Sequence, residues 1–219
     1  MNKIEIIYED NDIILCRKPA GVATQTKRLG QQDMISLLKN YRAKKGEEPY
    51  VGVVHRLDQP VEGLMVFAKN QKAAASLSEQ IRGHMFGKHY YAVSVHEAKT
   101  PEGILEDYLY TDKRENYTRV VDASNKEAKK AKLGYRFVEQ IEDRYLYDIT
   151  LFTGRQHQIR VQMAHMGCSL IGDHKYGEVQ EKKTLALCSY RLEFVHPITK
   201  KKMDYKIVPK GECFVGFFQ

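Results

Sequence analysis

The sequence lacks any apolar run long enough to cross a bilayer, since the longest are Ile13–Cys16 and Leu64–Ala68. A membrane-spanning helix needs roughly 20 apolar residues in a row. The first twelve residues carry four acidic side chains and no apolar stretch typical of a signal peptide. We therefore expect a cytoplasmic protein with no membrane partner.

Cysteine and paired metal ligands are also scarce. The four cysteines (Cys16, Cys168, Cys188 and Cys213) are far apart and form no C-x-x-C pair, which argues against zinc ribbons and thioredoxin-like motifs. In a reducing cytoplasm such cysteines are small buried hydrophobes. The eight histidines contain no H-x-x-x-H pair, so no bound metal is expected. Neither G-x-G-x-x-G nor a P-loop is present, so no nucleotide cofactor is expected.

The chain does contain enough apolar material for a core. Of its 219 residues, 42% are hydrophobic and 29% charged, which is typical of a soluble globular protein. No internal repeat or low-complexity linker interrupts it, so we predict one domain over residues 1–219, and a monomer.

Positive charge is concentrated in the second half. The chain has 35 Lys and Arg residues and 28 acidic residues. Residues 1–110 contain 15 basic and 14 acidic side chains, whereas residues 111–219 contain 20 basic and 14 acidic ones. Two lysine-rich runs, Lys126–Lys132 and Lys200–Lys206, contribute to it. A one-sided basic surface indicates a polyanionic partner such as nucleic acid. The alternative is that these lysines lie in solvated loops or protect edge strands from pairing with other chains.

Hydrophobic periodicity predicts many strands and few helices. Three helices are expected: one from the N-cap Asp33, one from Asn70 to Gly83 and one from Gly154 to Gly167 with Ile159, Met163 and Met166 as its apolar stripe. The strands are predicted over Ile4–Tyr8, Asp12–Arg17, Val51–Val54, Leu64–Lys69, His89–Val95, Gly103–Tyr110, Thr118–Val121, Leu133–Glu139, Arg144–Phe152, Leu185–Val195 and Met203–Val208. This pattern favours an α+β fold with a mixed, mainly antiparallel central sheet and few flanking helices.

Two polar segments carry the groups suited to chemistry. The loop from His55 to Gly63 lies between two predicted buried strands and holds Asp58 beside Arg56, although such an aspartate can also simply cap a turn. Arg160 flanks the apolar stripe of the third helix, where an arginine either pairs with a carboxylate or extends out of the interface to solvent.

Together these segments resemble the RluA-type pseudouridine synthases. The resemblance rests on matching segments in the family's order along essentially the whole chain: Asn11–Gly21, His55–Asp58, Gly63–Lys69, Lys88–Ala92, Gly154–Val161, Ile171–Gly177 and Leu185–Thr199. Two features depart from the family pattern. Val61-Glu62 replace the usual threonine-serine or threonine-threonine pair, placing a negative charge where an RNA phosphate is expected, and the small N-terminal RNA-binding domain of some relatives is absent from this sequence.

The resemblance implies that the protein isomerises a uridine in ribosomal or transfer RNA to pseudouridine, without cofactor or metal. Asp58 is then the nucleophile or the stabiliser of charge at the sugar, Arg160 pairs with it and keeps it ionised, and Tyr90 stacks on the base. Tyr90 lies on the more polar face of its predicted strand, as a half-buried packing tyrosine also could. Contacts to substrate are implied for His55, Arg56, Arg155 and Leu187; Arg56 fills the gap of the flipped nucleotide and Leu187 packs beside Tyr90.

Three other classes fit less well. A glycoside hydrolase normally uses two facing carboxylates, and only Asp58 lies in a recognisable motif. A metal-dependent hydrolase needs clustered ligands. An RNA-binding protein that has lost catalysis is the main rival, and loss of Asp58, Tyr90 or Arg160 would favour it, but all three are present.

Overall fold

The computed structural model describes residues 4–26, 28, 30–177 and 183–218. In chain order the elements are β1 (Glu5–Glu9), β2 (Ile13–Lys18), α1 (Met34–Lys44), β3 (Gly52–Val53), β4 (Glu62–Ala68), α2 (Gln71–Arg82), β5 (Gly87–Ser94), β6 (Glu102–Asp112), β7 (Tyr117–Val121), β8 (Lys129–Ile141), β9 (Arg144–Leu151), α3 (Gln158–His165), β10 (Leu187–Val195), β11 (Lys202–Lys206) and a short 3-10 helix (Glu212–Phe214). Few helices and mostly antiparallel strand pairs confirm the α+β prediction.

The chain divides into two compact units. The first comprises residues 1–87 and 188–207, and the second comprises residues 88–187 and 208–219. The single domain over residues 1–219 stays a prediction.

The first unit is built on β4. This strand pairs antiparallel with β2 on one side and parallel with β10 on the other, and all seven of its residues are buried. The prediction that this strand lies inside a covered sheet is therefore confirmed. The core against one of its faces includes apolar side chains of α2, β2 and β10: Ala73, Leu77, Ile13, Leu15, Leu192 and Phe194.

The first two helices begin where the sequence predicts. The Asp33 carboxylate accepts from the Ser36 N–H at 2.8 Å and the Ser36 hydroxyl accepts from the Asp33 N–H at 3.0 Å, which forms a capping box. The Asn70 side chain caps α2 by accepting from the Ala73 N–H, and Gly83 is its C-cap.

The second unit is an antiparallel sheet in the order β5-β9-β8-β6-β7, with α3 packed against β6 and β7. The third helix starts at Gln158, four residues later than predicted, because the Gln158 side chain holds the preceding loop. Its Oε1 accepts from the Arg155 N–H at 3.0 Å and from the Thr153 hydroxyl at 2.8 Å. His157, with φ of 53°, then turns the chain into the helix.

The predicted stripe on α3 was also wrong in extent. All residues from Gln158 to Met163 are buried, the polar ones included, whereas Met166 is only half-buried. Hydrogen bonds make that burial possible: Gln158 Nε2 donates to Gln162 Oε1 at 2.9 Å, and Gln162 Nε2 donates to Asp107 at 2.7 Å.

Strand β5 is buried on both faces over much of its length. Tyr90, Ala92 and Ser94 of the more polar face are buried, and so is Val93 of the opposite face, whereas Tyr91 is half-buried and contacts the ring of Phe218. Tyr90 is therefore a buried tyrosine, with 5% of its surface exposed.

The four cysteines are free and buried, as predicted. Burial raises the pKa of the Cys16, Cys168 and Cys188 thiols above the usual value. In the described part of the chain, no helix combines the length and apolar character needed to cross a membrane.

Gly63 marks the tightest strand contact near the Asp58 loop. Its φ is +133°, and a Cβ atom there would overlap the backbone of Ser189 on β10. Both backbone strain and overlap therefore oppose any side chain at this position.

We expect Gly63→Ala to lower the free energy of unfolding by about 3–5 kcal/mol, the sum of a strain and an overpacking cost. Gly21→Ala is the matched control, because its φ is also positive (+84°) but its Cβ meets no atom within 4 Å. Urea denaturation measures both. Equal losses for the two variants would show that the Ser189 contact is unimportant.

Candidate active site

The loop that carries Asp58 runs between β3 and β4 in the first unit. Within it Leu57 is buried, Asp58 half-buried and Arg56 exposed. The backbone carbonyl of Asp58 accepts from the Val61 N–H at 3.1 Å, which closes a tight turn. The turn thus uses the backbone carbonyl of Asp58, and the residue as a whole is half-buried.

Both neighbours of Asp58 are fixed by the segment that follows β2. The buried Thr24 hydroxyl accepts from the Leu57 N–H at 3.2 Å and donates to the Leu57 carbonyl at 2.9 Å. On the other side, Gly21 N–H donates to the Gln59 carbonyl at 2.9 Å and Gln59 Nε2 donates back to the Gly21 carbonyl at 3.0 Å. These reciprocal bonds hold the backbone on each side of Asp58, so the place of this residue in the chain's path is set by the fold.

Lys18, at the end of β2, also binds the backbone of this segment and of the Asp58 loop. Its side chain is wholly buried, and Nζ donates to three carbonyl oxygens, those of Pro19 (3.0 Å), Val22 (2.6 Å) and Gln59 (3.0 Å). Burial lowers the pKa of Lys18 to about 7, against the opposing influence of the Asp58 and Glu62 charges. The lysine therefore places a titratable cation in the electrostatic field of Asp58.

The sequence suggested that Glu62 places a negative charge where an RNA phosphate is expected, but the structure shows this side chain in an internal ion pair. It is buried, and its Oε2 lies 3.5 Å from Nη1 of Arg17. Arg17 Nε lies 3.2 Å from Glu5 Oε2 as well. The negative charge at this departure from the family pattern is thus compensated inside the first unit.

His55 is engaged with the core of its unit. Its Nε2 accepts from the Val66 N–H at 3.1 Å, which requires that Nε2 carry no proton, and its ring lies 5.5 Å from that of Phe86. A role for His55 in RNA contact stays a prediction.

One group of possible metal ligands occurs in the described residues, formed by Asp10, Asp12 and His196. His196 Nδ1 accepts from the N–H groups of Ile198 and Thr199, so Nε2 carries the proton and donates to Asp10 at 2.8 Å. These hydrogen bonds tie the turn after β10 to the turn between β1 and β2.

In the second unit, Arg160 is paired with Asp173. Nε and Nη2 of Arg160 donate to the two carboxylate oxygens at 2.8 and 2.6 Å, and both side chains are buried. Burial raises the pKa of Asp173, but the Arg160 bonds together with the N–H groups of Lys175 and Tyr176 outweigh it and lower that pKa below its usual value.

The remaining predicted residues also lie in the second unit. Arg155 is exposed and belongs to the loop before α3, where its Nε donates to the Lys130 carbonyl at 2.9 Å, so its assignment to the start of the helix was wrong. Tyr90 on β5 and Leu187 at the start of β10 are both buried. Their roles at the base stay predictions.

Sequence reasoning assigned no role to Lys18, Thr24, Asp173 or Tyr176. Lys18, Asp173 and Tyr176 lie in the segments that resemble the family, which was the available signal. Thr24 had none, because a hydroxyl that bonds to a loop 33 residues away leaves no local pattern.

A family model described as "RNA pseudouridylate synthase" matches residues 12–165, which is more than half of the chain. The chain belongs to this family, and the resemblance to its RluA-type members is confirmed. It is 32% identical over 94% of its length to an uncharacterized RNA pseudouridine synthase of Helicobacter pylori, and 28% identical over 93% of its length to tRNA pseudouridine synthase C of Vibrio parahaemolyticus.

The chain spans 66% of the Helicobacter pylori protein and 89% of the Vibrio parahaemolyticus one. The structure of human RNA pseudouridylate synthase domain containing 4 matches 94% of this chain and 88% of that one, with a TM-score of 0.78 at 20% identity. That likeness shows a shared fold and confirms the predicted pseudouridine synthase-like architecture.

Lys18 predicts a pH dependence of stability. With a pKa of about 7 in the folded state and about 10.4 in the unfolded state, the unfolded chain binds more protons between these values, so stability rises with pH across that window. Relative to Lys18→Met, the wild-type free energy of unfolding should increase by about 1 kcal/mol per pH unit from about pH 7 to 10.

Urea denaturation at a series of pH values measures this difference. Lys39→Met, at an exposed position, controls for the loss of one positive charge. A difference between wild type and Lys18→Met that stays constant over the window would contradict the assignment.

Proposed function

We propose that this protein is an RNA pseudouridine synthase that isomerises a specific uridine of ribosomal or transfer RNA. The observation that carries the proposal is the half-buried Asp58, held through both of its neighbours in a chain of this family. Relatives named for the large ribosomal subunit and for tRNA support the substrate class.

The reaction exchanges one bond for another within the nucleotide. The N1–C1′ bond breaks, a C5–C1′ bond forms, C5 loses its proton to water and N1 regains one. Because substrate and product are isomers, the balance requires no redox partner, metal or energy source. A cofactor-free enzyme is therefore the simplest form of the proposal.

Asp58 acts in this scheme as the nucleophile or as the stabiliser of charge at the sugar. As the nucleophile, its carboxylate bonds to C1′ while N1 departs, and that bond breaks when C5 attacks C1′. Arg160 assists Asp58, as the resemblance implies, and Tyr90 stacks on the uracil and assists removal of the C5 proton. These three roles rest on the resemblance of the motifs, together with the carboxylate, guanidinium and phenol chemistry of the side chains.

Contacts to RNA are assigned to four further residues of the matching segments. Arg56 is exposed next to Asp58, which suits insertion into the gap left by a flipped nucleotide. Arg155 is exposed and suits a phosphate contact, whereas His55 and Leu187 shape the surroundings of the base. We place the protein in the cytoplasm as a monomer whose partner is RNA.

Asp58→Asn should abolish turnover and leave folding intact, because the amide keeps the shape but loses charge and nucleophilicity. Release of tritium from RNA labelled at uracil C5 measures turnover, and it should persist in the presence of a chelator. Asp122→Asn, the same substitution at an exposed position, is the control. Substantial turnover by Asp58→Asn would exclude Asp58 as the essential group.

RNA binding should be sensitive to salt, because basic side chains displace counterions from phosphates. Lys200 and Lys201 are exposed in the turn before β11, and Lys202 is exposed at the first position of that strand. Neutralising all three should weaken binding and reduce the slope of log K against log salt by up to about 2. The triple variant of Lys39, Lys44 and Lys72 is the control in the less basic half, and equal slopes for both variants would assign Lys200–Lys202 to solvation.

A further inference from the structure

Asp173 is the most deeply buried carboxylate among the described residues with a paired cation, at 1% exposure. It binds Arg160 through two parallel hydrogen bonds along the Nε–Nη2 edge of the guanidinium. A planar two-point contact of this kind fixes direction as well as distance. Arg160 therefore presents the opposite end, at Nη1, in one orientation.

The turn that carries Asp173 is itself rigid. Oδ1 of Asp173 also accepts from the N–H groups of Lys175 and Tyr176 at 3.0 and 3.1 Å, and its carbonyl accepts from the Gly177 N–H at 2.8 Å. Gly172, with φ of +71°, has no room for a Cβ because of the Thr184 backbone. The carboxylate is thus held by its own turn before it meets Arg160.

Tyr176 supports the guanidinium from its face. The Arg160 Cζ lies 5.1 Å from the centre of the Tyr176 ring, within the range of a cation–π contact. The ring is fixed at its other end, where the hydroxyl accepts from the Thr118 N–H at 2.9 Å and lies 2.6 Å from His157 Nδ1. Edge and face of Arg160 are therefore both held by side chains within one unit.

We propose that Asp173 is a positioning residue that acts through Arg160, orienting its guanidinium and sharing its charge, with Tyr176 as the supporting surface. This inference rests on the proposed function, in which Arg160 serves Asp58.

A purely structural ion pair predicts different behaviour. Loss of Asp173 would then lower stability, and any loss of rate would follow the unfolded fraction and be independent of the side chain at position 160. A positioning role predicts that the loss of rate requires Arg160. A double-mutant cycle separates the two.

The cycle compares wild type, Asp173→Asn, Arg160→Lys and the double variant by tritium release from C5-labelled RNA, each at a temperature where circular dichroism shows it folded. Asp173→Asn should lower kcat on the order of 10–100-fold, as for a misdirected catalytic group, with KM changed by less than about threefold. In the Arg160→Lys background the same substitution should cost less than about threefold.

Asp107→Asn is the matched control. Asp107 is also a carboxylate bound to side chains of α3, and its partners there are Gln162 and His165. It should change kcat by less than about twofold in either background. Losses from Asp173→Asn that are equal in both backgrounds would overturn the inference while leaving the proposed function standing.

A second measurement needs no variant to fold. In ¹⁵N NMR spectra of the wild-type chain, the Arg160 Nε–H should exchange with water at least about tenfold more slowly than that of exposed Arg82, because it is buried and bonded to Asp173. Equally fast exchange would overturn the inference. No tritium release by the wild-type chain from ribosomal or transfer RNA would instead overturn the proposed function, and this role of Asp173 with it.

Discussion

The catalytic role proposed for Asp58 depends on hydrogen bonds that fix the backbone on both sides of this residue. Thr24 holds Leu57, while Lys18 and Gly21 hold Gln59, so the short segment after β2 determines where the aspartate stands. Strand β4 continues the same support, since it is buried throughout and flanked by β2 and β10. The catalytic role proposed for Asp58 needs such a fixed backbone, because a reacting side chain must be held close to its productive geometry.

Much of this architecture could be predicted because it follows local rules. An apolar strand without alternation predicted a buried central strand, and Asp33 and Asn70 marked helix starts through their own side chains. The motif segments located Asp58 and Arg160 and also contained Asp173, although not its pairing. A partner thirteen residues away in a turn cannot be identified from periodicity.

The errors share one physical cause, which is burial of polar side chains made possible by distant hydrogen bonds. The helix α3 buries Gln158, Arg160 and Gln162 because β6, β8 and the turn at Asp173 supply their partners. Glu62 is buried for the same reason, with Arg17 beside it. Hydrophobic patterns assume that polar means exposed, and they fail where tertiary partners replace water.

The buried thiols make local unfolding of the first unit measurable by cysteine reactivity. Cys16 lies on β2 and Cys188 on β10, the two strands that flank β4, and burial keeps both in the unreactive protonated form. An alkylating reagent can therefore modify them only when the sheet around β4 separates. The rate of alkylation at these two native cysteines therefore measures how often the strands on either side of β4 separate, and no residue has to be substituted for the measurement.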